Sequence, residues 1–109
     1  MSYWVSLENA GPVERFEDGG TQLLGGSTEA ELNITYNYSE VYSIFDFSIN
    51  DLNGKRAGDM IEKFEEIVKK CGTHRFDNYW APTPGNAGAA IARLLAWAKQ
   101  YPDATFRAS

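Results

Sequence analysis

The hydrophobic pattern of this chain changes its period part-way along, and this change constrains the fold more than any other feature. Residues 2–8 place three apolar side chains on one face: Tyr3, Val5 and Leu7. Residues 30–38 repeat the alternation with Leu32, Ile34, Tyr36 and Tyr38. A two-residue period is typical of strands with one buried face. The N-terminal part is therefore predicted to supply strands of a sheet.

In the C-terminal part the apolar residues recur at helical spacing. A helix is expected from about Lys55 to Cys71, with one apolar face made of Met60, Ile61, Phe64, Ile67, Val68 and Cys71. Gly72 is a natural end for it. Thr83 followed by Pro84 predicts the cap and first residue of a last helix. The buried stripe of that helix is expected to be Ala87, Ile91, Leu94, Leu95 and Ala98.

Three shorter segments complete the expected order of elements. Residues 21–24 form either a short strand or a buried loop, and residues 104–108 are expected to close the sheet as an edge strand. Residues 40–47 are predicted to form a short helix, although the alternation of Phe45, Phe47 and Ile49 also suits a strand. Helices gathered in the C-terminal half argue against a doubly wound fold. We predict one α+β domain over residues 1–109, with a small antiparallel sheet of three or four strands and two main helices packed on one face.

The charge of the chain restricts its partners. Ten Lys and Arg against 15 Asp and Glu give a net charge of −5, which argues against general nucleic-acid binding and against an anionic membrane surface. The acidic excess lies in residues 1–40, where Arg15 is the single basic residue. From residue 41 onward the chain is nearly neutral, so a small anionic ligand is less strongly opposed there.

The location of the protein is predicted from what the sequence does not contain. The N-terminal residues lack the basic segment and the long apolar run of a secretory signal. No stretch reaches the roughly 18 apolar residues of a membrane span. Cys71 is the single cysteine, so an internal disulfide is impossible. We expect a cytoplasmic protein.

Motifs for catalysis or metal binding are weak in this sequence. His74 is the single histidine, and any general base or Ser–His–Asp arrangement would have to use it. Cys71 ends a predicted helix on its buried face, where the helix dipole raises a thiol pKa. Neither a metal-ligand spacing nor a Gly-Lys-Ser/Thr phosphate loop occurs. We expect no metal and no cofactor, and a binding protein more than an enzyme.

Two features suggest a binding surface. The first is a polar row of Asn33, Thr35 and Asn37 on the second face of the strand predicted over residues 30–38; Asn is a poor strand former and needs a reason to be there. The second is the segment with Arg75, Tyr79 and Trp80, since arginine and aromatic side chains are frequent in interface hot spots. The simpler alternatives are an exposed sheet face and aromatic rings that cover the core. If the two features meet, they form a pocket for a planar polar ligand or a partner peptide.

Three segments carry a family resemblance: residues 33–39 (Asn-x-Thr-x-Asn), residues 52–58 (Leu-x-Gly before a helix) and residues 80–87 (Pro-Gly-Asn-Ala at a helix start). Over residues 30–109 the sequence resembles a family of small phage- and prophage-associated proteins to which no activity is attached. The resemblance implies a phage accessory or host-interference (anti-defence) role. It also implies that the positions of interest are Asn33, Thr35, Asn37, Trp80, Gly85 and Asn86.

The leading hypothesis is a cytoplasmic, non-enzymatic binding module of phage or prophage type. It would act through the polar row, the Arg75–Trp80 segment and Asn86. Its partner would be a host protein or a small anionic, nucleotide-like ligand. One alternative is a small enzyme with His74 as its base. Another is a structural protein that forms homo-oligomers through Trp4 and Trp97.

Overall fold

The structure, a computed structural model, describes residues 2–11, 21–23, 31–74, 78 and 81–109. Four strands form one antiparallel sheet in the order β2-β3-β1-β4. The strands are β1 (Ser2–Glu8), β2 (Thr21–Leu23), β3 (Glu31–Thr35) and β4 (Thr105–Ala108). The helices are α1 (Ser39–Ser43), α2 (Ile61–Cys71) and α3 (Pro84–Gln100). The predicted α+β class is confirmed, and no helix in the described ranges is long and apolar enough to cross a membrane.

The register of the strands separates the sheet into two faces. Val5 pairs with Leu32 on β3 and with Ala108 on β4. The inner face, which α2 and α3 cover, is buried at Val5, Leu32, Ile34 and Phe106. Side chains alternate along a strand, so Trp4, Asn33 and Arg107 lie on the opposite face. The predicted alternation of residues 2–8 and the predicted edge strand at residues 104–108 are both confirmed.

The prediction of a strand over residues 30–38 is wrong for its last three residues. The strand ends at Thr35, and Tyr36–Tyr38 form a 3₁₀ turn. The Thr35 hydroxyl accepts a hydrogen bond of 3.2 Å from the Asn37 backbone N–H, and such local bonds compete with strand pairing. Tyr38 still reaches the core from this turn, which explains why alternation continued past the strand.

The predicted end of α2 at Cys71 and the predicted start of α3 at Thr83 and Pro84 are confirmed, whereas the start of α2 and the extent of α1 differ from the prediction. The first turn of the helix expected from Lys55 is a 3₁₀ segment, Ala57–Met60, and α2 starts after it. The short helix expected over residues 40–47 is α1, which ends at Ser43. Asp46 then adopts a left-handed conformation (φ 55°), which turns the chain away from the helix axis. Ile49–Leu52 form another 3₁₀ turn, so the strand alternative for this region is wrong.

Aromatic rings link the elements through the core. Tyr38, Tyr42, Phe47, Phe64 and Phe106 follow one another in edge-to-face contacts, with ring centroids between 5.7 and 6.2 Å apart. The edge-to-face geometry places the positive ring edge on the negative face of the neighbour. This run connects the Tyr36–Tyr38 turn, α1, α2 and β4 into one core.

Two glycines bring α3 close to the end of α2. A Cβ on Gly88 would overlap the carbonyl oxygen of Gly72, and a Cβ on Gly85 would overlap the carbonyl oxygen of His74. Side chains at these positions would therefore separate the two segments. The small residues at the start of α3 therefore serve close packing.

The outer edge of β4 is covered by a segment of the chain. The backbone N–H of Gly54 donates to Phe106 O, and Phe106 N–H donates to Lys55 O, both at 2.8 Å. The Asn53 side-chain oxygen accepts from Ala108 N–H at 3.2 Å. The Asn53–Gly54 turn is therefore fixed beside the end of β4.

Candidate functional site

The face of the sheet opposite α2 and α3 is named the outer face here. It carries Ser2, Trp4, Ser6 and Glu8 of β1, Asn33 and Thr35 of β3, and Thr105 and Arg107 of β4. Most of these side chains are polar, as expected of a sheet surface that meets water. Trp4 is the exception, because it is a large apolar side chain with 45% of its surface exposed.

The polar row predicted from the sequence lies on the outer face only in part. The Asn33 amide donates to Ser2 Oγ at 2.7 Å and to Tyr3 O at 3.2 Å, so it ties β3 to β1. Thr35 faces the same way and caps the following turn. Asn37 lies in that turn and is exposed, so the prediction that it continues the row along a strand is wrong. Asn33 and Thr35 therefore stabilise the sheet and border any site on this face.

Asn86 lies on the other side of the molecule. It is fully buried in the first turns of α3, and its side-chain amide donates to the carbonyls of Asn78 and Ala81, each at 3.1 Å. These bonds hold the preceding segment against the helix. Arg75, Tyr79 and Trp80 lie outside the described residues. Asn33 and Asn86 are on opposite sides of the sheet, so the described parts of the two predicted features do not meet.

The residues considered for catalysis and assembly occupy ordinary structural environments. Burial raises the pKa of the Cys71 thiol, which disfavours a thiolate nucleophile. The His74 side chain is exposed while its carbonyl packs on Gly85. Within the described ranges, no group of three or more His, Cys, Asp or Glu residues is placed to hold a metal ion. Trp97 is only 1% exposed, so the prediction that it forms an assembly surface is wrong.

An open depression lies beside Trp4, where β1 and β4 pair. Its volume is about 200 Å³, and its lining consists of Trp4, Val5, Ser6, Asn53, Arg107, Ala108 and Ser109. We call it the Trp4 depression. Trp4 and Ser109 exchange two backbone hydrogen bonds of 3.0 Å, and Ser6 pairs with Arg107. The ladder between the two strands therefore fixes the positions of Trp4 and Arg107 relative to each other.

The Arg107 guanidinium is held at one of its nitrogens. Its Nε lies 3.1 Å from Glu8 Oε2, and both side chains are about half exposed. A Cβ built on Gly54 would lie 3.8 Å from Nη1 of Arg107, so the guanidinium reaches toward the Asn53–Gly54 turn. The ion pair and the turn together restrict the orientation of this group.

Several hydrogen-bond donors of the Trp4 depression have no acceptor in the described part of the chain. They are Trp4 Nε1, Asn53 Nδ2 and the two terminal nitrogens of Arg107. The amide oxygen of Asn53 is already used by Ala108, which leaves its NH₂ group. A surface with a flat aromatic ring and unpaired donors is complementary to a flat ligand rich in acceptors.

Arg107 and Asn53 were not among the residues predicted from the sequence, and Trp4 was predicted only as part of an assembly surface. Trp4 stands among Ser6 and Glu8 on the polar face of a strand, and that position is a signal visible in the sequence. Arg107 similarly alternates with the buried Phe106. Asn53 gives no such signal, because only the tertiary fold brings its turn to the end of β4.

The chain was compared with family models, with curated proteins and with solved structures, and none of them matches it.

Proposed function

We propose that this protein is a non-enzymatic binding module that holds a small nucleotide-like ligand on the outer face of its sheet. The observation that carries the proposal is the exposed Trp4 indole beside a depression lined by unpaired donors. Aromatic side chains with one wet surface are common where proteins bind ligands.

The overall charge supports a small ligand over a long polyanion. A net charge of −5 opposes binding of nucleic acid, because each phosphate along a strand needs a nearby cation. A single small anion needs only one well-placed cation, and Arg107 supplies one at this site. The charge balance and the site geometry therefore favour the same class of ligand.

A host protein bound to the same face is the second candidate, since exposed tryptophan and arginine are also typical of interface hot spots. The enzyme hypothesis has less support, because the lining of the Trp4 depression contains no His, Cys, Asp or Glu. The proposed biological setting is phage interference with host defence by sequestering a nucleotide signal. Neighbouring genes of phage origin are expected under this proposal.

A thermal-shift screen tests the function. Mononucleotides and dinucleotides are expected to raise the melting temperature of the wild-type protein progressively with concentration, because a ligand that binds only the native state stabilises it. The Trp4→Ala variant should lose this response, and Trp80→Ala tests the predicted loop separately.

Ile44→Ala is the matched control for that screen. Ile44 is an exposed apolar residue (80%) that lies outside the outer face, so its replacement should leave the response to nucleotides unchanged. If no nucleotide shifts the wild-type melting temperature, the ligand function is refuted and the host-protein candidate takes its place.

A further inference from the structure

We propose that the Trp4 depression binds a planar ring carrying one anionic group, with the ring against the Trp4 indole and the anionic group on the Arg107 guanidinium. This inference rests on the proposed function and assigns the ligand class and the position of its two parts. The shared chemistry is a ring bearing a carboxylate or a phosphate.

The strand register sets the distance that the ligand must span. Trp4 pairs with Ser109, and Arg107 precedes Ser109 by two residues on the same face. Diagonal neighbours of this kind in an antiparallel sheet have Cα atoms roughly 7–8 Å apart. One ring system with a charged substituent matches that spacing, whereas a small anion alone cannot contact both side chains.

The ion pair with Glu8 prepares Arg107 for an anion. The Glu8 carboxylate lies 3.1 Å from Nε of Arg107. The two terminal nitrogens of the guanidinium can therefore still bind two oxygens of one carboxylate or phosphate group. The Glu8 carboxylate also repels an incoming anion. Because both partners are about half exposed, that repulsion is screened by water and reduces the affinity without preventing binding.

The size of the Trp4 depression limits the ligand. Its volume of about 200 Å³ is smaller than the roughly 300–1,000 Å³ of sites that enclose drug-sized molecules. One ring system with one anionic group fills it, and further groups of a larger nucleotide extend into solvent. The NH₂ group of Asn53 adds a donor at the rim of the site.

Titration of ¹⁵N-labelled protein by NMR tests the inference with matched probes. Adenosine monophosphate contains ring and anion, adenosine contains the ring alone, and inorganic phosphate contains the anion alone. The monophosphate is expected to shift the Trp4 indole N–H and the backbone amides of Arg107 and Ala108. It should bind at least about tenfold more tightly than either fragment. A benzoate titration shows whether a carboxylate replaces the phosphate.

Variants separate the contributions of the two side chains. Arg107→Gln should weaken binding of the monophosphate to the level of adenosine and leave adenosine unaffected. Glu8→Gln keeps an oxygen that accepts from Arg107 Nε and removes the negative charge, so it should strengthen binding of the monophosphate a few-fold. Arg56→Gln is the matched control, since Arg56 is also an exposed arginine in ion pairs, with Asp59 and Asp103; it should change nothing.

The outcomes distinguish this inference from the proposed function. Equal affinity for the monophosphate and adenosine, or unchanged binding in Arg107→Gln with a normal thermal unfolding curve, overturns the inference while nucleotide binding itself stands. NMR shift changes confined to residues away from Trp4 and Arg107 also overturn the inference and leave nucleotide binding standing. If none of the probes binds and no nucleotide raises the melting temperature, both the proposed function and this inference are refuted.

Discussion

Replacing Gly88 by alanine tests how closely α3 packs against the end of α2. The added Cβ would overlap the Gly72 carbonyl oxygen and would lie 3.0 Å from the Cβ of Cys71. Gly72 has little freedom to retreat, because its N–H donates to Val68 O at 2.8 Å and its φ is +72°. The segment must therefore shift as backbone, and rotation of a side chain cannot relieve the contact.

The expected magnitude follows from two opposing terms. Overpacking a tight interior costs about 1–3 kcal/mol, and the upper end applies because the obstructing atom belongs to the backbone. Alanine gains about 1 kcal/mol over glycine in helix propensity. The net loss in the free energy of unfolding is therefore about 2 kcal/mol, which lowers the melting temperature by roughly 10 °C in a domain of this size.

Urea denaturation followed by circular dichroism measures this loss. Ala96→Gly in the exposed part of α3 is the control, because it changes helix propensity without changing any close contact. It should cost about 1 kcal/mol. If Gly88→Ala is as stable as the wild-type protein or more stable, the helix start does not depend on this close approach and the reasoning is refuted.

Three further changes have defined outcomes. Asn86→Ala should lower the free energy of unfolding by about 2–3 kcal/mol in urea, since two hydrogen bonds from a buried amide are lost, whereas the exposed Asn50→Ala should stay within about 0.5 kcal/mol. Asp46→Gly should raise the free energy of unfolding by up to about 1 kcal/mol, because glycine adopts the positive φ of this position without strain. A decrease in the free energy of unfolding would contradict that account. Burial raises the pKa of the Tyr42 phenol above its ordinary value of 10.0, so the unfolded chain ionises first and stability should fall as the pH rises above 10. Tyr42→Phe should make the free energy of unfolding fall less steeply with pH in this alkaline range. At neutral pH the same variant should be about 1 kcal/mol less stable, because it lacks the hydrogen bond from the Tyr42 hydroxyl to Ala87 O.

The fold class was predictable because the sequence shows two clear hydrophobic periods, one typical of strands and one typical of helices. Alternation at residues 2–8 and helical spacing in the second half of the chain were recognisable without knowledge of tertiary contacts. The end of β3 was not predictable from the same pattern. Tyr38 is apolar and buried, as a strand residue would be, yet it reaches the core from a turn that the Thr35 side chain caps.

The candidate site was less predictable than the fold. Its ring comes from the first strand, its guanidinium from the last strand, and its extra donor from the Asn53 turn. Only the pairing of β1 with β4 brings them together, and hydrophobic period contains no information about which strands pair. The predicted site residues were Asn33, Thr35, Asn37, Asn86 and those of the Arg75–Trp80 segment. Of these, Asn33 and Asn86 make internal hydrogen bonds that organise the protein.

The layered architecture makes a large aromatic side chain on the outer face unexpected, and Trp4 is such a side chain. Helices cover one face of the sheet, so the other face must be compatible with water, and Ser2, Ser6 and Thr35 satisfy that condition. Tryptophan does not, because exposing a large ring forgoes the gain that burial would provide. A serine at this position would pair across the ladder equally well, since the hydrogen bonds with Ser109 use only backbone atoms. The backbone ladder therefore does not require an indole at this position, and the proposed ligand in the Trp4 depression would account for it.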